Sequence, residues 1–228
     1  MHIVLVHGMG ASAFTWSLVA PILEARGHTV SVADNASQSL EDDVAAVRSL
    51  VDAVDDDALL VGHSYGGAVI TNAGRHERVR GLVYIAAFAP TEGESVNSIV
   101  SSNEPAPVSQ YFSRGPNGEW IADESDEAWQ ALAWDVPEHV RLAEREHRRD
   151  SADAIFTTVT GTPAWSLRPA WYLLATSDRH ILPRVQRMMA ERAGARIREV
   201  DTSHAIAHAA PESVVALIEE ALGDLAAA

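Results

Sequence analysis

Short apolar runs alternate with longer amphipathic segments along most of the chain. Six runs are rich in β-branched residues and have the length of buried strands, at residues 3–6, 29–33, 58–61, 81–86, 170–175 and 196–200. Five segments between or after them repeat apolar residues at helical spacing, at residues 13–26, 40–54, 66–76, 182–193 and 211–226. This alternation predicts an α/β fold in which a six-stranded, mainly parallel sheet is covered by helices on both faces.

The alternation stops between the fourth and fifth strands. Residues 90–169 hold a stretch rich in glycine, proline, serine and asparagine, followed by charged helical segments, with four tryptophans spread through them. An interval of 80 residues between consecutive strands is much longer than an ordinary connection and requires structure of its own. We therefore predict a core made of residues 1–89 and 170–228, with a helical cap or lid inserted at residues 90–169.

Composition narrows the range of partners. The formal charge of −15 would repel a nucleic-acid backbone and an anionic membrane surface alike. There is no cysteine for disulfides or thiolate metal sites. The first residues, MHIVLVHG, lack the basic region of a signal peptide, and no run approaches the ~18 apolar residues of a membrane span. We expect a soluble cytoplasmic monomer or homodimer whose partner is a small-molecule substrate, with neither nucleic acid nor membrane bound.

The segment LLVGHSYGGAVI, residues 59–70, places a serine in a tight turn between a buried strand and a helix. Glycines lie two residues before and two residues after Ser64. This Gly-x-Ser-x-Gly pattern in a strand-to-helix context is typical of a nucleophile elbow, which exposes the serine hydroxyl at the carboxyl end of a sheet. The alternative is that a small residue merely fits the turn, but the context on both sides favours Ser64 as a nucleophile.

A serine hydroxyl needs a base, and ten histidines are available. His204 is favoured because it follows the last strand, at the same sheet edge as Ser64. His208 lies four residues further on and is the nearby competitor, although its position near a helix start favours a plain polar residue over a base. The other histidines are assigned to the first turn and the elbow (His7, His63), to the cap (His139, His147) and to surface or strand-end positions (His2, His28, His76, His180).

The base requires a carboxylate to hold its tautomer, and two aspartates compete. Asp178 follows the strand WYLLA and gives the chain order Ser, acid, His. Asp201, at the next strand end, is the main rival, and a strand-end aspartate is also a common turn residue. The other position where an acid is expected follows the strand at 81–86, but the sequence there reads Ala86-Ala87-Phe88. The absence of an acid at that position supports Asp178 as the triad carboxylate.

Acyl transfer also needs donors for the developing oxyanion. Tyr65, which follows the nucleophile, and Met9, in the turn HGMG after the first strand, are predicted to supply their backbone amides. The HGMG turn lacks the spacing of a dinucleotide or nucleotide-triphosphate loop, and the histidines and carboxylates show no spaced metal motif. The sequence therefore predicts no metal and no organic cofactor.

Over essentially its whole length the chain resembles the α/β-hydrolase superfamily. The segments LVHGMGASAFTW, VGHSYGG, LVYIAAFAP, WYLLATSDRHILPRVQRMMAERAGA and VDTSHAIAHAAPESV resemble a small bacterial esterase-like branch related to plant methyl-ester esterases and hydroxynitrile lyases. The resemblance implies the α/β-hydrolase fold, with Ser64, Asp178 and His204 as triad and Met9 and Tyr65 as oxyanion donors.

Two departures from that branch matter. The segment ADNASQSLEDDV after the second strand is shorter than usual, so one wall of the pocket is expected to be open or differently built. The lyases carry threonine and lysine where this chain has Met9 and Ala205, which disfavours lyase activity.

We therefore expect a serine hydrolase that cleaves an ester or lactone of a small apolar or aromatic molecule through an acyl-enzyme. Trp129 and Trp134 are the cap residues expected to reach the substrate, unless they form the core of the cap. One alternative is a biosynthetic cyclase or lyase acting on a tailored intermediate. Another is a weakly catalytic, receptor-like protein that binds a small molecule, because one fold serves many chemistries.

Overall fold

A computed structural model describes residues 1–116, 120–123 and 125–227 of the chain. Within those residues eight strands form, namely β1 (His2–Val6), β2 (Thr29–Val32), β3 (Ala58–His63), β4 (Val79–Ile85), β5 (Phe112–Arg114), β6 (Trp120–Ala122), β7 (Ala170–Ala175) and β8 (Arg196–Val200). Six of them form one sheet in the order β2-β1-β3-β4-β7-β8, with every neighbouring pair parallel. The predicted six-stranded sheet is confirmed. The remaining two, β5 and β6, pair antiparallel as a separate hairpin.

Helices connect these strands. The described α-helices are α1 (Val19–Ala25), α2 (Leu40–Asp52), α3 (Gly66–Ala73), α4 (Val96–Ser101), α5 (Asp126–Ala133), α6 (Glu138–Glu146), α7 (Ala154–Thr157), α8 (Pro183–Arg192), α9 (Ile206–Ala209) and α10 (Pro211–Ala227). Short 3₁₀ helices span Ala13–Trp16, Pro107–Tyr111 and Ala164–Ser166.

The four central strands of the sheet, β1, β3, β4 and β7, are buried on both faces because they are apolar at nearly every position and successive side chains point to opposite sides. In β1, Ile3 and Leu5 belong to one apolar layer, whereas Val4 and Val6 belong to the other. Helices α1 and α10 cover the first layer, and α2, α3 and α8 cover the second. The predicted arrangement of helices on both faces is thereby confirmed.

The predicted continuous helix at residues 13–26 was wrong in detail. The structure has a 3₁₀ helix at Ala13–Trp16 and begins α1 only at Val19. Pro21 explains the break, because its ring clashes with the carbonyl four residues earlier and it has no amide hydrogen to donate. After α1 the chain turns through Gly27, whose φ of 89° suits glycine.

The strand order places the crevice of the sheet between β1 and β3. The chain leaves β1 toward β2 on one side and then returns to form β3 on the other, which is the position where open α/β sheets bind ligands. Val6 is in register with Gly62, so the residues that follow, Gly8 and Ser64, emerge side by side. At the neighbouring strands, Ala175 is in register with Val200, which brings the loops after β7 and β8 to the same edge.

The segment between β4 and β7 covers part of this edge. Trp129, Ala133 and Val136 form a small apolar cluster at α5 and the turn after it, and this cluster packs against Ala205 and Ala209 in the loop and short helix after β8. The segment therefore contacts the chain next to His204. Whether residues 90–169 form a separate domain stays a prediction.

Candidate active site

Ser64 lies directly after β3 with a backbone conformation that is unusual for a residue with a side chain. Its φ is 53°, in the left-handed region. Three backbone hydrogen bonds hold it there: its N–H donates to Ile85 at 3.3 Å, and its carbonyl accepts from Gly67 and Phe88 at 3.0 Å each. This is the geometry of a strained turn that pushes the serine side chain outward.

The glycines around Ser64 are required by close backbone contacts. A Cβ on Gly62 would lie 2.5 Å from the Gly66 carbonyl oxygen, and a Cβ on Gly66 would lie 2.4 Å from that of Val6. A Cβ on Gly8 would lie 3.4 Å from Ser64 Oγ, so the turn after β1 packs directly on the serine side chain. The sequence pattern thus follows from the packing of the elbow between β1 and α3.

His204 and Asp178 form a hydrogen-bonded pair, with Nδ1 and Oδ2 2.7 Å apart. The Asp178 carboxylate also accepts from the amides of His180 (2.7 Å) and Ile181 (3.1 Å) and from Gln186 Nε2 (2.7 Å). A carboxylate with four donors around it accepts the Nδ1 hydrogen of His204, which leaves Nε2 with a free lone pair. Gln186 was not predicted as a site residue from the sequence, although it lies among the apolar residues on the buried side of α8.

Burial shifts the pKa values of both partners. It raises the pKa of the Asp178 carboxyl above its ordinary value and lowers the pKa of the His204 imidazole. A lowered pKa keeps His204 unprotonated at neutral pH, which is the form that accepts a proton from a serine hydroxyl.

The two rival residues lie elsewhere. Asp201 is exposed, and its carboxylate accepts a hydrogen bond from Ser177 Oγ at 2.5 Å. His208 is buried, and its Nε2 is 3.0 Å from Glu144 Oε2. Asp178 is therefore the carboxylate that contacts His204, whereas Asp201 and His208 have other partners.

Ser64 and His204 meet at one cavity of ≈ 710 Å³, counted to its open mouth. Both are nearly buried, with exposed fractions of 6% and 5%, so a small molecule reaches them through this cavity. Both belong to the part of the chain that the structure describes, and no hydrogen bond joins them there. Such bonds are commonly long without substrate and tighten when it binds.

Two backbone amides next to Ser64 are available as donors. Neither the amide of Met9 nor that of Tyr65 donates a hydrogen bond to any described residue. The Tyr65 side chain turns away from the cavity, and its hydroxyl donates to Asp43 at 2.8 Å. In the other turn, His7 Nδ1 donates to the Gly8 carbonyl at 2.9 Å. The Gly8 carbonyl and the Met9 N–H belong to the same trans peptide and point in opposite directions. A bond that holds the carbonyl therefore also orients the Met9 N–H.

Arg149, from the segment between β4 and β7, fastens the same turn. Its guanidinium donates to His7 Nε2 (3.0 Å), the Ala11 carbonyl (3.1 Å) and Asp34 (2.7 Å), and its amide donates to the Gly10 carbonyl (2.8 Å). Burial lowers the pKa of His7 to about 4, so Nε2 is unprotonated and accepts the bond from Arg149. The sequence showed no sign of this contact, which joins distant parts of the chain.

Two further histidines surround His204. His63 Nε2 donates to the His204 carbonyl at 2.9 Å, and the ring centroids are 4.9 Å apart. The His180 ring lies 4.6 Å from that of His204 and lines the cavity, so its assignment to a surface or strand-end position was wrong. Burial lowers the pKa of His63 and of His180 to about 3, and both are neutral at pH 7.

The two cap tryptophans have different surroundings. Trp129 is 7% exposed and lines the cavity that holds Ser64. Trp134 is 40% exposed, directly follows α5 and does not line that cavity. Of the pair, only Trp129 is in a position to contact a molecule bound beside Ser64.

A second cavity of ≈ 880 Å³, also counted to its open mouth, adjoins the first. Its lining is mostly apolar and includes Val96, Ile99, Phe156, Val185 and Leu182. Met9, Phe112 and His180 line both cavities and so stand between them. Phe112 could not be identified as a pocket residue from the sequence, because it begins the β5–β6 hairpin in a region where no strand was predicted.

Among the described residues, no group of three or more histidine, aspartate and glutamate side chains is placed to hold a metal ion. None of the described helices has the length and apolarity needed to cross a bilayer.

Comparisons with known proteins agree with this geometry. A model of the family described as "Alpha/beta hydrolase family" matches residues 3–217. Carbendazim hydrolyzing esterase from Nocardioides sp. (strain SG-4G) is 35% identical over 126 residues, covering 49% of this chain and 52% of that protein. Salicylic acid-binding protein 2 from Nicotiana tabacum is 30% identical over 135 residues, covering 53% of this chain and 49% of that protein. The chain spans about half the length of these curated relatives in the alignments.

Similarity to solved structures extends over the whole chain. The crystal structure of a pyrethroid hydrolase from Sphingobium faniae JZ-2 has a TM-score of 0.84 and 25% sequence identity. The match covers 100% of this chain and 98% of that chain.

Proposed function

The chain belongs to the alpha/beta hydrolase family, and we propose that it is a serine esterase that cleaves an ester or lactone of a small apolar or aromatic molecule. The observation that carries this proposal is the 2.7 Å bond between His204 and Asp178, made beside the cavity that Ser64 lines. The names of two relatives, a carbendazim hydrolyzing esterase and a pyrethroid hydrolase, support hydrolysis as the reaction.

In the proposed first half-reaction, Ser64 Oγ gives its proton to His204 Nε2 and attacks the ester carbonyl carbon. The carbonyl oxygen becomes an oxyanion that accepts hydrogen bonds from the amides of Met9 and Tyr65. Asp178 stabilises the imidazolium. When the tetrahedral intermediate collapses, His204 returns the proton to the leaving alcohol and an acyl-serine remains.

The second half-reaction repeats these steps with water. His204 takes a proton from the water, whose oxygen attacks the acyl carbon, and then returns the proton to Ser64 Oγ as the acid departs. No metal or organic cofactor enters either half.

The two adjoining cavities support a substrate with two arms. An ester carbonyl at Ser64 divides a molecule into an acyl part and an alcohol part, and Met9, Phe112 and His180 stand where the cavities meet. The mostly apolar lining of the second cavity favours an apolar arm there.

Steady-state kinetics on aryl and alkyl esters of increasing chain length test the proposal. The wild type is expected to turn over short aryl esters, and Ser64→Ala to lose several orders of magnitude in kcat, because triad members act as a unit. Ser203→Ala, a buried serine beside His204, is the matched control and should keep most of the activity. Saturable binding of esters without turnover by the wild type would instead favour a small-molecule-binding protein.

A further inference from the structure

Glu144 of α6 places a carboxylate on the wall of the cavity that holds Ser64. Its Oε1 accepts a hydrogen bond from Thr15 Oγ1 at 3.1 Å, and its Oε2 lies 3.0 Å from His208 Nε2. The Glu144 side chain is 14% exposed, and Thr15 and His208 line the same cavity. This carboxylate takes no part in the proposed triad.

The carboxylate is ionised at neutral pH. Burial raises the pKa of Glu144, but hydrogen bonds from His208 and Thr15 to the ionised carboxylate help to offset this, so the pKa lies below its ordinary value. Each oxygen accepts one hydrogen bond from the described residues, whereas a carboxylate has about four acceptor sites. Acceptor capacity therefore remains on a buried anion, which is an expensive group to keep in an apolar cavity.

The other residues that line the Ser64 cavity indicate which kind of hydrogen-bond donor would suit the Glu144 carboxylate. Two cations, Arg141 and Arg148, line the same cavity, so an ammonium group would face positive charge as well as Glu144. Trp129, Leu132 and Val136 supply apolar surface suited to a ring or a short alkyl chain. A neutral donor at the end of an apolar arm fits both features.

We propose that Glu144, together with Thr15, anchors a neutral hydroxyl or N–H group on the substrate arm that occupies the Ser64 cavity. The inference rests on the proposed function and narrows its substrate class to esters that carry such a donor on one arm. Glu144 acts as a specificity residue: it binds the far end of the arm and leaves the chemistry at the carbonyl unchanged.

Two pairs of esters that differ only by hydroxyl against methyl test the anchor. Methyl 4-hydroxyphenylacetate and methyl 4-methylphenylacetate carry the group on the acyl side, and the acetates of 4-hydroxyphenethyl and 4-methylphenethyl alcohol carry it on the alcohol side. In at least one pair, the wild type should prefer the hydroxyl ester by about tenfold or more in kcat/KM, because a site built around a polar partner rejects the analogue that lacks it. Glu144→Gln should lose that preference, because kcat/KM should fall much further on the hydroxyl ester than on the methyl ester.

Glu104→Gln is the matched control, because Glu104 lines the second cavity and is paired with Arg184. It should leave the preference unchanged. The inference is overturned if the wild type shows no preference in either pair, or if Glu144→Gln keeps the preference. The inference is also overturned if Glu144→Gln loses kcat/KM equally on both esters and has a lower melting temperature. That result would show that Glu144 holds α6 on the core.

Failure of the proposed function is distinguished by a binding measurement. If no ester is turned over, calorimetry of Ser64→Ala with the same ester pairs still measures the anchor, since binding does not require the nucleophile. Tighter binding of the hydroxyl ester, weakened by adding Glu144→Gln, would support the anchor without hydrolysis, and equal binding would contradict it.

Discussion

A serine hydroxyl reacts only where its backbone and its base are both held in place. The left-handed conformation of Ser64 costs roughly 1–2 kcal/mol, and hydrogen bonds from Gly67 and Phe88 and to Ile85 oppose its relaxation. The base is held separately, through Asp178. Backbone strain at Ser64 and the hydrogen bond from His204 to Asp178 therefore each position one of the two reacting groups.

The two carboxylates near the strand ends should differ sharply. Asp178→Asn places an amide NH₂ where Oδ2 accepts from His204 Nδ1, so the imidazole should turn to the wrong tautomer and kcat should fall on the order of 10⁴. Asp201→Asn, at an exposed residue, should change kcat by less than about twofold. Kinetics on one short ester, with melting curves for both variants, measure this. The opposite ranking would move the acid to Asp201.

At the scale of elements, α5 and the residue after it offer a matched pair of tryptophans. Trp129→Ala removes a ring from the cavity wall and should change the preference between a small and a large ester by about 1–3 kcal/mol. Trp134→Ala, at a 40% exposed position, should leave that preference unaltered. The ratio of kcat/KM for the two esters is the readout. Equal effects of the two variants would show that Trp129 only packs the cap.

The segment at residues 148–151 is expected to act on catalysis through the turn after β1. Arg149→Ala removes the bonds to His7 and Ala11 that orient the Met9 amide, so kcat should fall by about 10- to 100-fold with little change in KM, since that amide binds the oxyanion and not the ground state. Arg26→Ala, which removes surface ion pairs with glutamates, is the control. A rise in KM with unchanged kcat would assign Arg149 to substrate binding instead.

At the scale of the whole molecule, buried neutral histidines make stability depend on pH. The pKa is lowered to about 4 at His7 and to about 3 at His63 and His180, and it is also lowered at His204. Below pH 6.5 the unfolded chain binds protons at these residues and the folded chain does not, so the free energy of unfolding should fall as the pH drops from 6.5 toward 4. On acidification Asp178 acts in the opposite direction, because its raised pKa makes the folded chain bind a proton there at a higher pH than the unfolded chain does.

Urea unfolding at pH 7 and pH 5.5 measures the dependence. Each histidine that is not compensated contributes up to about 1.4 kcal/mol per pH unit. His63→Gln should therefore reduce the slope, whereas His139→Gln, at an exposed position, should leave it unchanged. A stability that stays constant or rises on acidification would contradict the buried neutral state of the cluster.

Much of this organisation could be predicted from the sequence because it depends on local pattern. Buried parallel strands appear as apolar runs, and the glycines around Ser64 report contacts within one turn. The chain order of Ser64, Asp178 and His204 follows from the strand ends that carry them. The split of the first helix at Pro21 was also readable in principle, since a proline in the first turn marks a helix start.

What the sequence could not provide depends on contacts between distant segments. Arg149 contacts His7, and Glu144 contacts Thr15, across more than half the chain, and Glu144 also contacts His208, 64 residues further on. The spacing of apolar and polar residues along the chain carries no information about such distant contacts. The ring of His180 likewise looked like a surface group until the loop after β7 was seen to fold over His204.

The most direct test of the central claim, that Ser64 is the nucleophile, is covalent labelling with a fluorophosphonate followed by mass mapping. Cleavage after Arg48 and Arg75 gives one peptide that contains Ser49 and Ser64, and fragment ions assign the adduct. We predict a single adduct on Ser64 that disappears in Ser64→Ala and persists in Ser203→Ala. An unlabelled Ser64, or an adduct on Ser49 or on another serine that survives Ser64→Ala, would contradict the account.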